Sequence, residues 1–211
     1  METRYLEGYV DRAFLNDQEK RKKIEETRTV TFVISSDAKD RHGSRLNMKN
    51  WKLDNYNRNP IVGYQHNVYG DNMCVPPNPD NIVGPSRIYF VEEEGRILMM
   101  GDVTFETKEV NPLADKLFNK VLNGTLRAAS VGFLEVGQGR KVLEKDSNGK
   151  VIGETYEFEG QELLEWSIVN IQSNPEANTK SLRNHTVAGI GFLRGIGMTI
   201  PEIRKIVSDI L

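Results

Sequence analysis

Residues 82–105, IVGPSRIYFVEEEGRILMMGDVTF, contain two runs of β-branched and aromatic residues on either side of a glutamate-glycine turn. Two such runs around a short polar segment are typical of a β-hairpin. Further strands are predicted outward from this hairpin in both directions, at 27–35 (TRTVTFVIS), 59–67 (NPIVGYQHN), 126–133 (LRAASVGF), 151–160 (VIGETYEFEG) and 161–172 (QELLEWSIVNIQ). The sequence therefore predicts a protein built mainly from strands.

A mid-chain helix is predicted at 112–124, PLADKLFNKVLNG, because its larger apolar residues recur at helical spacing. Asn111 suits the N-cap of this helix and Gly124 suits its end. A second helix is predicted at 199–211. Strands and helices do not alternate as in a doubly wound sheet. The predicted fold class is β-rich α+β, with a small closed or strongly curved antiparallel-type barrel flanked by helices.

Three segments are predicted: a polar N-terminal arm at 1–26, the main domain at 27–185, and a connector with a helix at 186–211. The 211 residues suit one domain, and 38% hydrophobic with 27% charged residues is enough to bury a core. A net charge of −2 does not favour binding to nucleic acid or to an anionic membrane. We find no apolar run near the ~18 residues of a spanning helix and no signal-peptide core. These features predict a cytoplasmic protein.

No metal or cofactor is predicted. Cys74 is the single cysteine, which excludes an intrachain disulfide and a cysteine-only metal cluster. His42 and His185 lie in polar surroundings typical of surface residues, and no histidine pair has the spacing of a metal site. A glycine-rich loop that would hold phosphate is also missing from the sequence.

Three polar residues interrupt apolar strands, and each has two interpretations. His66 ends the run IVGYQH, where it is either a structural residue at the rim of the core or a base. Ser130 is either a small packing residue or a nucleophile, and the strand that continues after it excludes a nucleophile elbow. Glu165 lies in LLEWSIVNI, either in water on an edge strand or buried and paired with a histidine.

Taken in order, four segments resemble the prohead proteases of tailed phages, serine peptidases related in fold to herpesvirus assemblin. The segments are SSDAKDRHGSRLNMKNW, NPIVGYQHN, NGTLRAASVGF and LLEWSIVNIQSNPEAN. They resemble the family's aspartate-rich loop, its histidine strand, its serine strand, and its glutamate–x–serine strand with the following turn. The match covers about residues 29–180, and the turn departs from the family, with QSNPEA where a proline-alanine pair is common.

The resemblance implies a catalytic triad of Ser130 as nucleophile, His66 as general base and Glu165 as the orienting carboxylate. From the residues alone, Glu162, nearer the polar start of the same strand, is the alternative acid. The resemblance also implies substrates and a location. The enzyme would cleave the major capsid protein or a scaffolding protein, and itself, and would self-associate inside the assembling procapsid in the host cytoplasm. Arg127 is left without a role, because three positions along a strand put it on the face opposite Ser130.

Two other functions remain open from the sequence. One is a catalytically silent relative that acts as a scaffold or interaction protein in head assembly. The other is an unrelated β-rich binding module with chance matches. A binding module has no reason to bring His66 and Ser130 within hydrogen-bonding distance, so the structure can distinguish the two.

Overall fold

The structure is a computed structural model that describes residues 4–9, 18–69, 77–93 and 95–171. All of these residues belong to the first of the two units into which the chain divides, Met1–Pro175, and only that unit is considered below. The connector and helix predicted at 186–211, together with Cys74 and His185, lie outside the described residues.

Strands dominate the described part of the chain, as predicted. Two α-helices are present there, α1 (Gln18–Thr27) and α2 (Pro112–Leu122). The strands are β1 (Arg4–Tyr9), β2 (Thr29–Ser36), β3 (Ser44–Arg45), β4 (Trp51–Lys52), β5 (Ile61–Tyr64), β6 (Ile82–Glu93), β7 (Arg96–Thr104), β8 (Ala128–Val136), β9 (Arg140–Lys145), β10 (Val151–Glu157) and β11 (Gly160–Val169).

The larger sheet has the strand order β1-β8-β11-β5-β6-β7-β2, and β4 also pairs with β11. Its neighbours are antiparallel except that β4 and β5 run parallel to β11. The sheet is curved, because β1 and β2, at opposite ends of the strand order, lie in contact. A smaller sheet has the order β3-β10-β9. The β-rich α+β class is therefore confirmed.

The predicted hairpin at 82–105 is formed by β6 and β7, with Gly95 at φ +75° in the turn between them. Helix α2 is the predicted mid-chain helix, and Asn111 is its N-cap, as predicted. The Asn111 side chain accepts a hydrogen bond from the Ala114 N–H at 3.0 Å. Apolar side chains of α2 and of the sheet form one core, in which the rings of Phe32 and Trp166 lie 5.7 Å apart.

Strand β1 lies within the segment predicted to be a polar arm. It pairs antiparallel with β8, with Glu7 opposite Ser130 in the register. The other edge of β8 pairs with β11. The serine strand is therefore an interior strand of the sheet, with neither edge left open along this stretch.

No helix within the described ranges is long and apolar enough to cross a membrane.

Candidate active site

The candidate site forms where three neighbouring strands meet. Strand β11 lies between β8 and β5, and Ser167 of β11 is opposite Ser130 on one side and Gly63 on the other. Residues directly opposite each other share one face of a sheet. Ser130 and Ser167 therefore lie on the same face, and Trp166 and Ile168 face the core on the other.

A β-bulge lies just before Glu165, which shares the face of Ser130 with Ser167, and it turns Leu163 to the opposite face. The pairing of β11 with β8 shifts between Leu163 and Glu165, so that Leu163 is opposite Phe133 and Glu165 is opposite Gly132. An extra residue in one strand reverses the alternation of side chains beyond it. Leu163 can therefore stay in the hydrophobic core while Glu165 lies beside the serine. Simple alternation along LLEWSIVNI would have placed Leu163 and Glu165 on one face.

His66 lies in a turn and not in the strand that the sequence predicted at 59–67. Strand β5 ends at Tyr64, and Gln65 and His66 both have φ of 57°. Left-handed backbone costs a non-glycine residue on the order of 1 kcal/mol, so it needs anchors. The Gln65 N–H donates to the Ile168 carbonyl at 2.9 Å and the His66 N–H donates to Ser167 Oγ at 3.2 Å. Both anchors are on β11.

The turn places the imidazole between the two predicted partners. His66 Nε2 lies 2.7 Å from Ser130 Oγ, and His66 Nδ1 lies 2.6 Å from Glu165 Oε1. An ionised carboxylate only accepts hydrogen bonds, so Nδ1 carries the proton in this arrangement. Nε2 then carries no proton and accepts a hydrogen bond from the Ser130 hydroxyl. The structure thus brings together His66, Ser130 and Glu165, here called the triad.

The triad is largely withdrawn from water. Ser130 is 0% exposed and Glu165 is 2% exposed, whereas the His66 side chain keeps 17% of its area open. The interpretation of Glu165 as a solvated residue on an edge strand is therefore wrong. Strand β11 is interior, and both carboxylate oxygens have partners, because Ser167 Oγ donates to Glu165 Oε2 at 2.7 Å.

The alternative candidates lie elsewhere. Glu162, the second choice for the acid, is half-buried and its Oε1 accepts a hydrogen bond from Asn55 Nδ2 at 2.6 Å. His42 is exposed in a turn, where its N–H donates to Asp40 Oδ1. Among the residues described, no group of three or more histidine, cysteine, aspartate and glutamate side chains could hold a metal ion.

One neutral group lies near the carboxylate. Burial raises the pKa of Tyr56 well above its ordinary value, and the charge of Glu165 adds a smaller increase. Tyr56 therefore stays protonated, and its hydroxyl donates to the Ile61 carbonyl at 2.9 Å. This bond holds the start of β5, the strand that leads to His66.

A cavity of about 450 Å³ is separate from the triad. It is lined by residues of the smaller sheet and nearby loops, such as Arg45, Arg140 and Phe158, and by no triad residue.

Two residues of the site had no role in the sequence analysis. Ser167 was visible as a second polar residue in an apolar strand and as the serine of the glutamate–x–serine match, and neither signal gave it a role. Gly63 has no side chain because none fits: a Cβ there would lie 2.5 Å from Ser167 Oγ and 2.5 Å from Val68 Cγ1. The glycine in IVGYQH was the available signal, since a strand glycine often marks close approach.

Comparisons of the chain with models of protein families, with curated proteins and with solved structures return no match.

Proposed function

We propose that the chain is a serine endopeptidase that uses Ser130, His66 and Glu165. The observation that carries the proposal is the pair of contacts made by one imidazole, 2.7 Å to Ser130 Oγ and 2.6 Å to Glu165 Oε1. The partners are 64 and 99 positions from His66 in the chain. Serine-based acyl transfer requires a nucleophile hydrogen-bonded to a base, with the base hydrogen-bonded in turn to an orienting acid.

The mechanism follows from the positions of the protons. His66 Nε2 takes the hydroxyl proton as Ser130 Oγ attacks a peptide carbonyl, which gives a tetrahedral intermediate. The imidazolium then returns that proton to the leaving amine, and an acyl-serine remains. Water, deprotonated by the same nitrogen, hydrolyses the acyl-serine. Glu165 holds Nδ1–H throughout and stabilises the charged ring while it exists.

The biological part of the proposal is maturation of a phage prohead. It is supported by the resemblance of four ordered segments to the prohead proteases, and by a curved β-rich domain of the kind that this resemblance implies. The proposed substrates are the major capsid protein or a scaffolding protein and the protease itself. The proposed setting is the assembling procapsid, and the proposed fold is like that of herpesvirus assemblin.

A fluorophosphonate probe tests the chemistry without knowledge of the substrate. An activated serine hydroxyl displaces fluoride from phosphorus and keeps the label. We expect Ser130 of the full chain to be labelled, and Ser130→Ala to remain unlabelled while folding normally. A folded wild-type chain that takes no label, or a label on another serine, would overturn the proposal. Co-expression with the phage's capsid protein then tests the substrate, since Ser130→Ala should leave it uncut.

A second candidate is a catalytically silent head-assembly protein with the same fold. The observation in its favour is that Ser130 is 0% exposed, so a substrate cannot reach the hydroxyl in this conformation. The two candidates differ in the labelling experiment. A silent protein keeps the triad geometry but does not react, because the conformation that exposes Ser130 never forms.

A further inference from the structure

A second serine contacts both members of the His66–Glu165 pair. Ser167 Oγ donates to Glu165 Oε2 at 2.7 Å and accepts the His66 backbone N–H at 3.2 Å. A serine hydroxyl has a single proton, so these two bonds fix its orientation. Ser167 is 0% exposed, and water cannot take over either bond.

The fold reserves space for this hydroxyl. Ser167 lies between Ser130 of β8 and Gly63 of β5 in the sheet register. The missing side chain at Gly63 leaves the volume that Ser167 Oγ occupies, because a Cβ there would lie 2.5 Å from it. The arrangement depends on the pairing of three strands and is not a chance contact of a surface side chain.

We propose that Ser167 is a positioning residue for the triad, an inference that rests on the proposed peptidase function. Its donated bond holds the second carboxylate oxygen, so that the first stays directed at His66 Nδ1. Its accepted bond holds the backbone of His66 in the left-handed conformation that aims the ring at Ser130. Removal of the hydroxyl leaves a buried carboxylate oxygen and a backbone N–H without these partners at once.

The two hydrogen bonds of Ser167 Oγ join it to the Glu165 carboxylate and to the backbone of His66. Loss of this hydroxyl should therefore slow the chemical step and leave substrate binding unchanged. Misplacement of a catalytic group by about 1 Å can cost roughly 100-fold in rate. We expect Ser167→Ala to lower the rate of Ser130 phosphonylation by about 10- to 100-fold. Ser167→Cys keeps a heavy atom at this position, but a thiol is a weak donor. Its phosphonylation rate should therefore lie between those of the wild type and Ser167→Ala.

The experiment compares the full-length wild type, Ser167→Ala, Ser167→Cys and Thr155→Val. Thr155→Val is the matched control because it removes a buried hydroxyl that donates to another carboxylate, Glu144, in the smaller sheet and not in the sheet of the triad. Three quantities are measured for each: the thermal midpoint, the phosphonylation rate of Ser130, and the low-field proton NMR signal of His66 Nδ1–H. The NMR signal reports the bond to Glu165 and does not depend on catalysis.

The expected result is a slow rate and a broadened or shifted Nδ1–H signal in Ser167→Ala, with both quantities unchanged in Thr155→Val. A folded Ser167→Ala that reacts within twofold of wild type would overturn the inference. An equal loss in Thr155→Val would also overturn it, because general destabilisation would then explain both. If the folded wild type does not react, the peptidase proposal fails, and an unchanged Nδ1–H signal in Ser167→Ala would still refute the positioning role.

Discussion

Two regions of the molecule contain the same chemical unit, a glutamate that accepts a hydrogen bond from a buried hydroxyl and contacts a nitrogen. In the larger sheet Glu165 is bonded to Ser167 and to His66 Nδ1. In the smaller sheet Glu144 is bonded to Thr155 and lies 3.0 Å from Lys39 Nζ. The first glutamate is nevertheless part of a candidate active site, whereas the second forms an ion pair with a lysine.

The difference follows from how deeply each glutamate is buried and from whether its nitrogen partner is a histidine or a lysine. The Glu165 side chain is 3% exposed, whereas 33% of the Glu144 side chain is open to water. The Thr155 hydroxyl, and to a lesser extent Lys39, lower the pKa of Glu144, so its charge is stabilised in an ion pair at the surface. Histidine, unlike lysine, can take a proton near neutral pH and return it. A carboxylate–hydroxyl pair thus indicates a site only when a histidine connects it to a second hydroxyl.

The strongest test removes that second hydroxyl. Under the proposed function, Ser130→Ala should lower peptidase activity by about 10⁴-fold or more, because Ser130 supplies the nucleophile that forms the acyl intermediate. Adding His66→Ala should lower it little further, since the two residues act as one unit. The measurement is turnover of a cleaved capsid or peptide substrate, with circular dichroism to verify folding. A further large loss in the double variant would show that His66 acts independently of Ser130.

Replacement of each carboxylate by an amide should lower the turnover rate at Glu165 and not at Glu144. Glu165→Gln should lower the turnover rate by roughly 10³- to 10⁴-fold, because an amide no longer stabilises the imidazolium or fixes its tautomer. Glu144→Gln should leave the rate unchanged. Comparable losses in the two variants would mean that Glu165 is a structural residue.

A glycine beside each carboxylate offers a matched pair of steric tests. Gly63→Ala should destabilise the fold by about 1–3 kcal/mol and reduce activity, because the methyl group would displace Ser167 and Val68. Gly153→Ala should have a much smaller effect, since its Cβ would meet only the mobile end of Glu144 at 3.2 Å. Urea unfolding and substrate turnover measure the two effects. A Gly63→Ala variant as stable and active as wild type would show that the sheet can make room beside Ser167.

The smallest expected effect is the pH dependence of stability at Glu144. The folded state lowers its pKa below the ordinary 4.5, so the ionised side chain stabilises the fold above that pH, and the contribution disappears as the pH falls through the lowered value. The difference in urea midpoint between wild type and Glu144→Gln should therefore be present at pH 7 and vanish in acid. A difference that grows in acid would contradict the assigned interaction.

Local signals in the sequence predicted the elements around the site, and long-range pairing determined the site itself. The turn at Gly95 and the cap at Asn111 are encoded by adjacent residues, so the β6–β7 hairpin and α2 were predictable. The left-handed backbone of Gln65 and His66 was not, because neither residue is a glycine or an asparagine, and the asparagine of YQHN is Asn67, one position after the turn residues with positive φ. The bulge before Glu165 depends on how β11 aligns with β8, which no short pattern encodes. Pairing of β1 with β8 is non-local in the same way.

The interior position of β11 has a consequence for the timing of synthesis. Strands β8 and β5 are neighbours of β11 and not of each other. A nascent chain that has emerged only through β10 already contains His66 and Ser130, but it has no strand that can hold them side by side. Non-local pairing of this kind also forms late in folding. Under the proposed function, a growing chain therefore cannot cut before β11 has emerged from the ribosome and paired with β8 and β5.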